Sequence, residues 1–426
     1  MDRPVRVGIL GCGNVGAALI ALLRGRQAEI RARTGLTLEV ARVAVRSVAR
    51  ERPVAFDPGV VTHDAAAVVD DPSIDVVAEL IGGIEPAREL ITAALKSGKP
   101  VVTANKELLA NVGAELFAVA DAAGVDLLFE AAVAGGIPLM RPLRESLVGE
   151  RIRRVMGIVN GTTNYILTRM TEDGASYHDA LAEAQSLGYA ERDPTADVEG
   201  YDAGAKAAII ASVAFGARVV AGDVYHEGIA GITTADIAFA GRLGYVVKLL
   251  AIIEQTDGEI GVRVHPAMVP SDHPLASVRD SYNAVFVEGD AVGNLMFYGR
   301  GAGGAPTASA VLGDVVDAAA NLRRGTCGSL GVLGKAVIRP IDEVETAYYL
   351  TLEVADRAGV LAEVAGVFGR HGVSIKAMEQ EGLGDEARLI FITHIARERA
   401  MQATLGALRE IDAVDRVGTL LRVVGD

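Results

Sequence analysis

The stretch Val5-Arg6-Val7-Gly8-Ile9-Leu10-Gly11-Cys12-Gly13-Asn14-Val15-Gly16 decides the first part of the fold. Val5–Leu10 is a short β-rich run, and the glycines behind it are spaced G-x-G-x-x-G. In that pattern Gly11 permits the tight turn, Gly13 lets the backbone approach a pyrophosphate, and Gly16 lets the next helix pack on the strand. The amides around Asn14 and Val15 then open a helix, whose positive dipole end suits a diphosphate. Alone, the motif could be a glycine-rich turn without a ligand. Its place at the head of a strand–helix alternation makes it a dinucleotide site.

The alternation runs on to about Ile137. Leu38–Val45, Val76–Leu80, Pro100–Thr103 and Val125–Glu130 read as strands, and Gly16–Arg24, Pro86–Ser97 and Glu107–Ala123 as helices. The implied architecture is α/β, a Rossmann-type doubly wound parallel sheet with right-handed crossovers. From Arg151 to about Met296 longer helices and a few strands follow, including Tyr177–Leu187 before Gly188 and Tyr201–Phe215 before Gly216. The style changes again near residue 340. Tyr348–Val354, Val360–Gly369, Val373–Glu379, Arg388–His394, Arg397–Leu408 and Val417–Val424 form a self-contained βαββαβ, ferredoxin-like unit behind a linker, Pro340 to Glu345. Three domains are expected: 1–137, completed by 305–340; a central α+β domain at 138–304; and 346–426.

Composition narrows the class. Of 426 residues half are hydrophobic and 23% charged, which excludes a disordered chain. Lys+Arg 41 against Asp+Glu 55 gives −14, a charge that repels phosphate backbones, and Trp 0 leaves few stacking platforms. Nucleic acid is therefore not the expected partner. Cys12 and Cys327 cannot make a disulfide framework, and no Cys/His cluster has zinc spacing. With no leader-like start and no long apolar span, a cytoplasmic setting is expected.

The chemistry concentrates in three places. The second strand ends in Arg46-Ser47 rather than in an acid, and an arginine there, with Arg50 assisting, suits the 2′-phosphate of NADP(H) over NAD(H). A solvated surface arginine is the alternative. Lys106 follows the strand Pro100–Thr103, at the carboxyl end where ligands of open α/β sheets lie. The stretch Gly188–Lys206 carries Glu191, Asp193, Asp197, Glu199, Asp202 and then Lys206. Asp202 and Lys206 could be an ordinary i,i+4 surface pair. Periodicity points the other way: Asp202, Lys206, Ile209 and Val213 share one stripe, while Gly204, Ala207 and Ala211 make the opposite face small and apolar. A helix apolar all round is buried, and a buried ion pair marks a function or a fully paired network. An ammonium beside a carbonyl oxygen can stabilise growing negative charge and donate the proton in a reduction. Surplus carboxylates suit an amine. The residues thus suggest reversible oxidation of a small amino-bearing alcohol.

Several segments together resemble homoserine dehydrogenase: Gly11–Gly16, Asp75–Gly83 (DVVAELIGG), Gly98–Lys106 (GKPVVTANK), Phe129–Pro138, Asn160–Leu167 (NGTTNYIL) and Leu187–Lys206. Gly299–Val311 is similar to that family's late cofactor loop, and Tyr348–Val424 to an ACT domain. The resemblance implies NAD(P)-dependent interconversion of L-homoserine and L-aspartate 4-semialdehyde, toward threonine, methionine and isoleucine. It implies Lys206 as proton donor, Asp202 orienting it and touching substrate, Glu191 on the substrate amine, Lys106 between nicotinamide and substrate, and Asp197 in support. Gly188 and Gly303 would be backbone contacts to the cofactor. Glu130, Val133, Gly135 and Ile137 match a monovalent-cation site, usually Na+; a plain structural turn is the alternative. Arg300 departs from the proline that many relatives carry. The resemblance further implies dimerisation through the middle domain, as a homodimer or homotetramer, and a possible L-threonine effector at the ACT domain. A non-catalytic NAD(P)H and amino-acid sensor, or another amino-acid dehydrogenase, remain the competing readings.

Overall fold

A computed structural model describes residues 3–328, 330–331, 333–382 and 386–425. They form two compact units: one comprises the chain up to Val155, Gly204–Val224 and Tyr282–Ala336; the other comprises Met156–Ala203, Tyr225–Ser281 and the chain from Val337 onward. Residues 138–304, expected as one middle domain, contribute to both.

The first unit is built on a six-stranded parallel sheet in the order Val61–Thr62, Leu38–Ala44, Val5–Leu10, Val76–Glu79, Val101–Thr103, Leu127–Leu128. The order reverses between Val5–Leu10 and Val76–Glu79, the switch point where such sheets open a crevice beyond their carboxyl ends. Adjacent strand residues point to opposite faces. Val76, Ala78, Val102 and Leu128 pack on one side with Leu19, Ile20 and Leu23 of the helix Asn14–Gly25 and with Val311, Val315 and Ala318 of the helix Gly304–Arg324. Val77, Val101 and Leu127 pack on the other with Ile91, Leu95, Leu108 and Leu116 from the helices Ala87–Lys96 and Lys106–Ala123. Because both faces are covered, the strands are near-continuous apolar runs, which is why they are legible. The last of them is shorter than expected: Val125–Glu130 keeps only Leu127–Leu128 as strand, and the chain turns into a 3₁₀ segment at Glu130–Ala132. An antiparallel hairpin, Tyr282–Gly289 with Gly293–Arg300, also belongs to this unit.

The second unit holds the helices Gly161–Glu172, Tyr177–Ser186 and Thr234–Arg242, and a hairpin of two twelve-residue strands, Tyr245–Thr256 and Glu259–Pro270, in full register. Its turn is Asp257-Gly258, both at positive φ (54° and 86°), as a two-residue hairpin turn requires. The βαββαβ segment is present, with strands ordered Val414–Val423, Glu345–Ala355, Glu386–Thr393, Ile375–Gly382. Its core is Phe368 and Phe391 with Leu350, Leu352, Val364, Met401 and Leu405.

Two expectations about this segment are corrected. It is not self-contained: Ala267 and Met268 of the hairpin pair in parallel with Arg422 and Val423, and the Val424 N–H donates to the Met268 carbonyl at 2.9 Å. Nor is Pro340–Glu345 a free linker, since Ile341–Glu343 forms a 3₁₀ turn that Arg399 ties down through Glu343 at 2.9 Å. Backbone pairing between strand edges leaves no mark on a side-chain pattern, and the Glu343–Arg399 pair joins residues 56 apart, so neither feature is legible in the sequence.

Candidate active site

The glycine turn does three separate jobs. Gly11 has φ +100°, and a Cβ there would sit 2.5 Å from the Leu80 carbonyl oxygen. A Cβ on Gly16 would sit 2.4 Å from the Gly11 carbonyl oxygen, so helix and strand close on one another only with glycine there. A Cβ on Gly13 would meet nothing within 4 Å: this glycine is not demanded by packing. The residues therefore fit a dinucleotide, with Gly13 on the face where a pyrophosphate would lie. A second glycine loop meets the turn. Gly303 has φ +116°, and a Cβ on Gly304 would be 3.2 Å from the Asn14 carbonyl oxygen.

Beyond Val76–Glu79 the wall of the crevice is fixed by a buried acid that sequence reasoning passed over. Glu79, with no exposed surface, accepts from the amides of Ile81 (2.7 Å) and Gly82 (3.1 Å) and from the Thr103 hydroxyl (2.6 Å). Asn105 caps the next helix by accepting from the Leu108 N–H at 3.1 Å, and its amide donates to the Gly83 carbonyl at 2.6 Å. Lys106 is the first residue of that helix, half-buried at the carboxyl end of Val101–Thr103. Arg46 is exposed just past the end of Leu38–Ala44, in a loop that Arg52 braces by donating to the carbonyls of Ser47 and Arg50.

The turn after Leu127–Leu128 is also braced. The Glu130 carboxylate accepts from the amides of Leu139, Met140 and Arg141, the last two at 2.7 and 2.9 Å. The Glu130 N–H in turn donates to Asp314 at 2.8 Å. Burial pushes the Asp314 carboxyl up to about 7, against the pull of that amide and of Arg141. Ala134 and Gly135 both have φ +56°, and a Cβ on Gly135 would overlap the Gly301 carbonyl. With the Glu130 carboxylate engaged on three amides, a cation here would meet mostly main-chain carbonyls, from Glu130, Val133, Gly135 and Ile137. A carbonyl set of this kind suits an alkali ion and not a transition metal. Among the described residues no group of three His, Cys, Asp or Glu could hold a metal.

In the second unit the polar stretch is sorted by burial. Gly188 has φ +77° at the end of the helix Tyr177–Ser186, and Glu191 is exposed in the turn that follows. Asp193 serves that turn locally, accepting from the Thr195 hydroxyl at 2.6 Å, a bond that holds its carboxyl low. Asp197 and Asp202 are brought together by Asn160. Its side-chain amide donates to Asp197 at 2.7 Å and to Asp202 at 2.9 Å, while its carbonyl caps the helix Gly161–Glu172 by accepting from the Thr163 N–H at 2.9 Å. Asn160 is a site residue that the sequence reading did not single out. The only signal was a helix-capping residue type with no other visible purpose.

Asp202 lies in the first turn of the helix Tyr201–Phe215, and Lys206 one turn on. Their side chains are buried, Asp202 at 7% and Lys206 at 9% exposure, as are Ala207, Ile209, Ile210 and Ala211. The helix is apolar nearly all round, so its two charges lie inside and not on a surface stripe. One amide bridges two carboxylates, and a buried ammonium follows one helical turn on, a polar constellation of the kind found at functional sites.

Comparison with known proteins turns this chemistry into a family. Residues 138–316 match homoserine dehydrogenase, residues 11–130 the homoserine dehydrogenase NAD-binding domain, and residues 348–413 the ACT domain. A homoserine dehydrogenase of Corynebacterium glutamicum is 50% identical over 428 residues, 99% of this chain and 96% of that protein. The chain belongs to the homoserine dehydrogenase family. The crystal structure of a homoserine dehydrogenase from Thiobacillus denitrificans superimposes with a TM-score of 0.94 at 43% identity, covering 99% of this chain and 98% of that one. A hyperthermophilic archaeal homoserine dehydrogenase in complex with NADPH, 30% identical with a TM-score of 0.61, covers 74% of this chain and 98% of its own. As a homoserine dehydrogenase, the chain is an oxidoreductase acting on a CH–OH group, with a nicotinamide-binding sheet and a C-terminal ACT domain. No helix among the described residues is long and apolar enough to cross a membrane.

Proposed function

We propose that the chain interconverts L-homoserine and L-aspartate 4-semialdehyde, with Lys206 and Asp202 as its catalytic residues. The observation that carries this reading is the Asn160 amide shared between Asp197 and Asp202, with buried Lys206 one helical turn on. When bound, the nicotinamide accepts or supplies the hydride. Lys206 acts at the substrate oxygen. Its ammonium stabilises negative charge on the carbonyl oxygen and donates the proton in reduction; in oxidation the amine takes up the hydroxyl proton. Asp202 orients Lys206 and touches substrate. Glu191 accepts from the substrate amine, Lys106 lies between substrate and nicotinamide, and Asp197 fixes Asp202 through Asn160. Burial on the helix Tyr201–Phe215 keeps water from competing for the bonds of Asp202 and Lys206.

Gly11, Gly13, Asn14, Val15 and Gly16 would cradle the diphosphate, with Gly188 and Gly303 giving main-chain contacts. Arg46 supports NADP(H) over NAD(H), because a guanidinium can fork onto a 2′-phosphate, and the relative solved with NADPH is consistent with this. Glu130, Val133, Gly135 and Ile137, mostly through main-chain carbonyls, would hold Na+. The assembly is a homodimer or homotetramer working in the cytoplasm toward threonine, methionine and isoleucine, and L-threonine is the effector of the ACT domain. The test is absorbance at the nicotinamide band, with aspartate semialdehyde and each reduced cofactor in turn. No oxidation of either cofactor would defeat the reading.

A further inference from the structure

We propose that Arg422, at the end of the last strand of the ACT domain, is a positioning residue for the substrate carboxylates, acting through Glu227 and the Gly228–Ile229 main chain. The inference rests on the reading of Asp197 and Asp202 given above. Arg422 is only 2% exposed, and its guanidinium is bidentate twice over. Nε and one Nη donate to Glu398, both at 2.8 Å, and the two Nη donate to Glu227 at 3.0 and 2.9 Å. Glu398 opens the ACT helix Glu398–Leu408 and accepts from the Tyr348 hydroxyl at 2.9 Å, so that side of the pair is anchored within the ACT domain.

Glu227 lies outside the ACT domain. It follows the two-residue strand Tyr225–His226, and its N–H donates to the Val264 carbonyl of the long hairpin at 2.8 Å. The Tyr225 hydroxyl donates to the Glu227 carboxylate, and the Tyr225 ring lies 5.5 Å from the Arg422 guanidinium carbon. The next residue is pressed against the substrate segment. A Cβ on Gly228 would lie 2.4 Å from the Val198 carbonyl oxygen and 2.8 Å from the Glu199 Cα, and the Ile229 N–H donates to the Val198 carbonyl at 2.8 Å. Val198 ends the short helix Thr195–Val198, which carries Asp197, the partner of Asn160 and through it of Asp202. From Arg422 to the substrate carboxylates the route is one guanidinium, one main-chain step, one carbonyl contact and one side-chain amide.

A guanidinium fork fixes both the place and the orientation of a carboxylate, which a single ammonium does not. Weakening it leaves buried Glu398 incompletely paired and frees the partly exposed Glu227 carboxylate to turn to water, so the Tyr225–Ile229 segment loses its anchor. Val198 and Asp197 are tied to that segment and move with it. The alternative is a merely structural ion pair, whose loss would lower stability and leave substrate affinity alone.

Steady-state kinetics and thermal melting on full-length Arg422→Lys, Glu227→Gln and Gly228→Ala separate the two. Arg422→Lys keeps the charge without the fork; Gly228→Ala keeps both ion pairs and pushes on Val198 directly. We expect the homoserine KM to rise roughly tenfold in each, with the cofactor KM within about twofold of the parent. A homoserine KM within about twofold of the parent in the folded variants overturns the proposal, as does an equal rise in both KM values. Should Arg422→Lys not fold, Glu227→Gln decides, because it weakens the same fork. A parent enzyme inert toward homoserine is a different failure, which sinks the substrate reading and this inference with it.

Discussion

At the scale of single residues, burial fixes which charges need a partner inside the chain. The burial of Lys206 is legible because its helix has no polar face to offer it. We expect Lys206→Ala to cut kcat by about 10²–10⁴-fold, the usual cost of losing a general acid, with cofactor affinity retained by fluorescence titration. A near-normal kcat would remove Lys206 from the chemistry. Arg46 is exposed, so its role rests on what it would meet and not on packing. Arg46→Asp should shift kcat/KM toward NADH, and a parent that already prefers NADH would refute the assignment. Lys248 is the opposite case: only 2% exposed, it donates to Asn164 at 3.0 Å and to the Val278 carbonyl. Burial pushes its ammonium down to about 8 from 10.5, against the pull of Glu172. Between those two values the unfolded chain holds a proton that the native chain has lost, so this group makes stability rise with pH across that window. As pH falls through about 8 the contribution is gone. The melting temperature of the parent should therefore gain on that of Lys248→Met as pH rises from about 8 to about 10, and a constant difference would show that Lys248 does not titrate there. Asn160 is not legible in the sequence because Asp197 and Asp202 lie far along the chain, nor is Glu79, whose burial and bond to Thr103 a single acidic residue does not betray.

At the scale of elements, the parallel strands and their helices were legible wherever period and turn residues agreed. Tyr201–Phe215 was expected with the bounds it has. The long hairpin was read only as a few strands. Most residues of Tyr245–Thr256 and Glu259–Pro270 are buried on both faces, so the alternation that marks a half-exposed strand is missing. Asp257-Gly258 was the available signal, a strong hairpin dipeptide. The glycine turn gives a contrast within one element. Gly16→Ala forces a Cβ to 2.4 Å from the Gly11 carbonyl oxygen, so it should lower the melting temperature of the cofactor-free protein. Gly13→Ala meets no atom of the chain within 4 Å and should fold normally, yet raise the cofactor KM by about tenfold or more. Equal melting losses in the two variants, with unchanged cofactor KM for Gly13→Ala, would contradict the division of labour among these glycines.

At the scale of the whole molecule, the ACT domain was legible as a βαββαβ unit, but not its attachment. Beside the strand pairing, Thr419 and Tyr349 donate to Asp236 of the helix Thr234–Arg242 at 2.8 and 3.4 Å, and Arg242 reaches Glu381 at 2.9 Å. Truncation after Pro340 would therefore strip partners from Asp236, Glu227 and the strand Glu259–Pro270, and its result would confuse lost folding with lost regulation. A point substitution isolates the effector question. Asp356, Arg357, Gly359, Leu361 and Gln380 line a cavity of about 280 Å³ at the start of the helix Val360–Arg370. Gly359 caps that helix at φ +97°, a conformation that suits glycine and strains an L residue. Gly359→Asp would put a carboxylate where an amino acid's own carboxylate would meet the helix amides, while the helix dipole offsets its charge for folding. From the ACT domain threonine inhibits only if it binds a less active state more tightly, since equal affinity shifts nothing. The parent should lose activity across a threonine titration, and Gly359→Asp should show the parent's basal rate and need about tenfold more threonine for the same loss. Equal inhibition of both would place threonine at the substrate carboxylates as a mimic of homoserine, and inhibition of neither would leave the ACT domain to act through Arg422 as a brace alone.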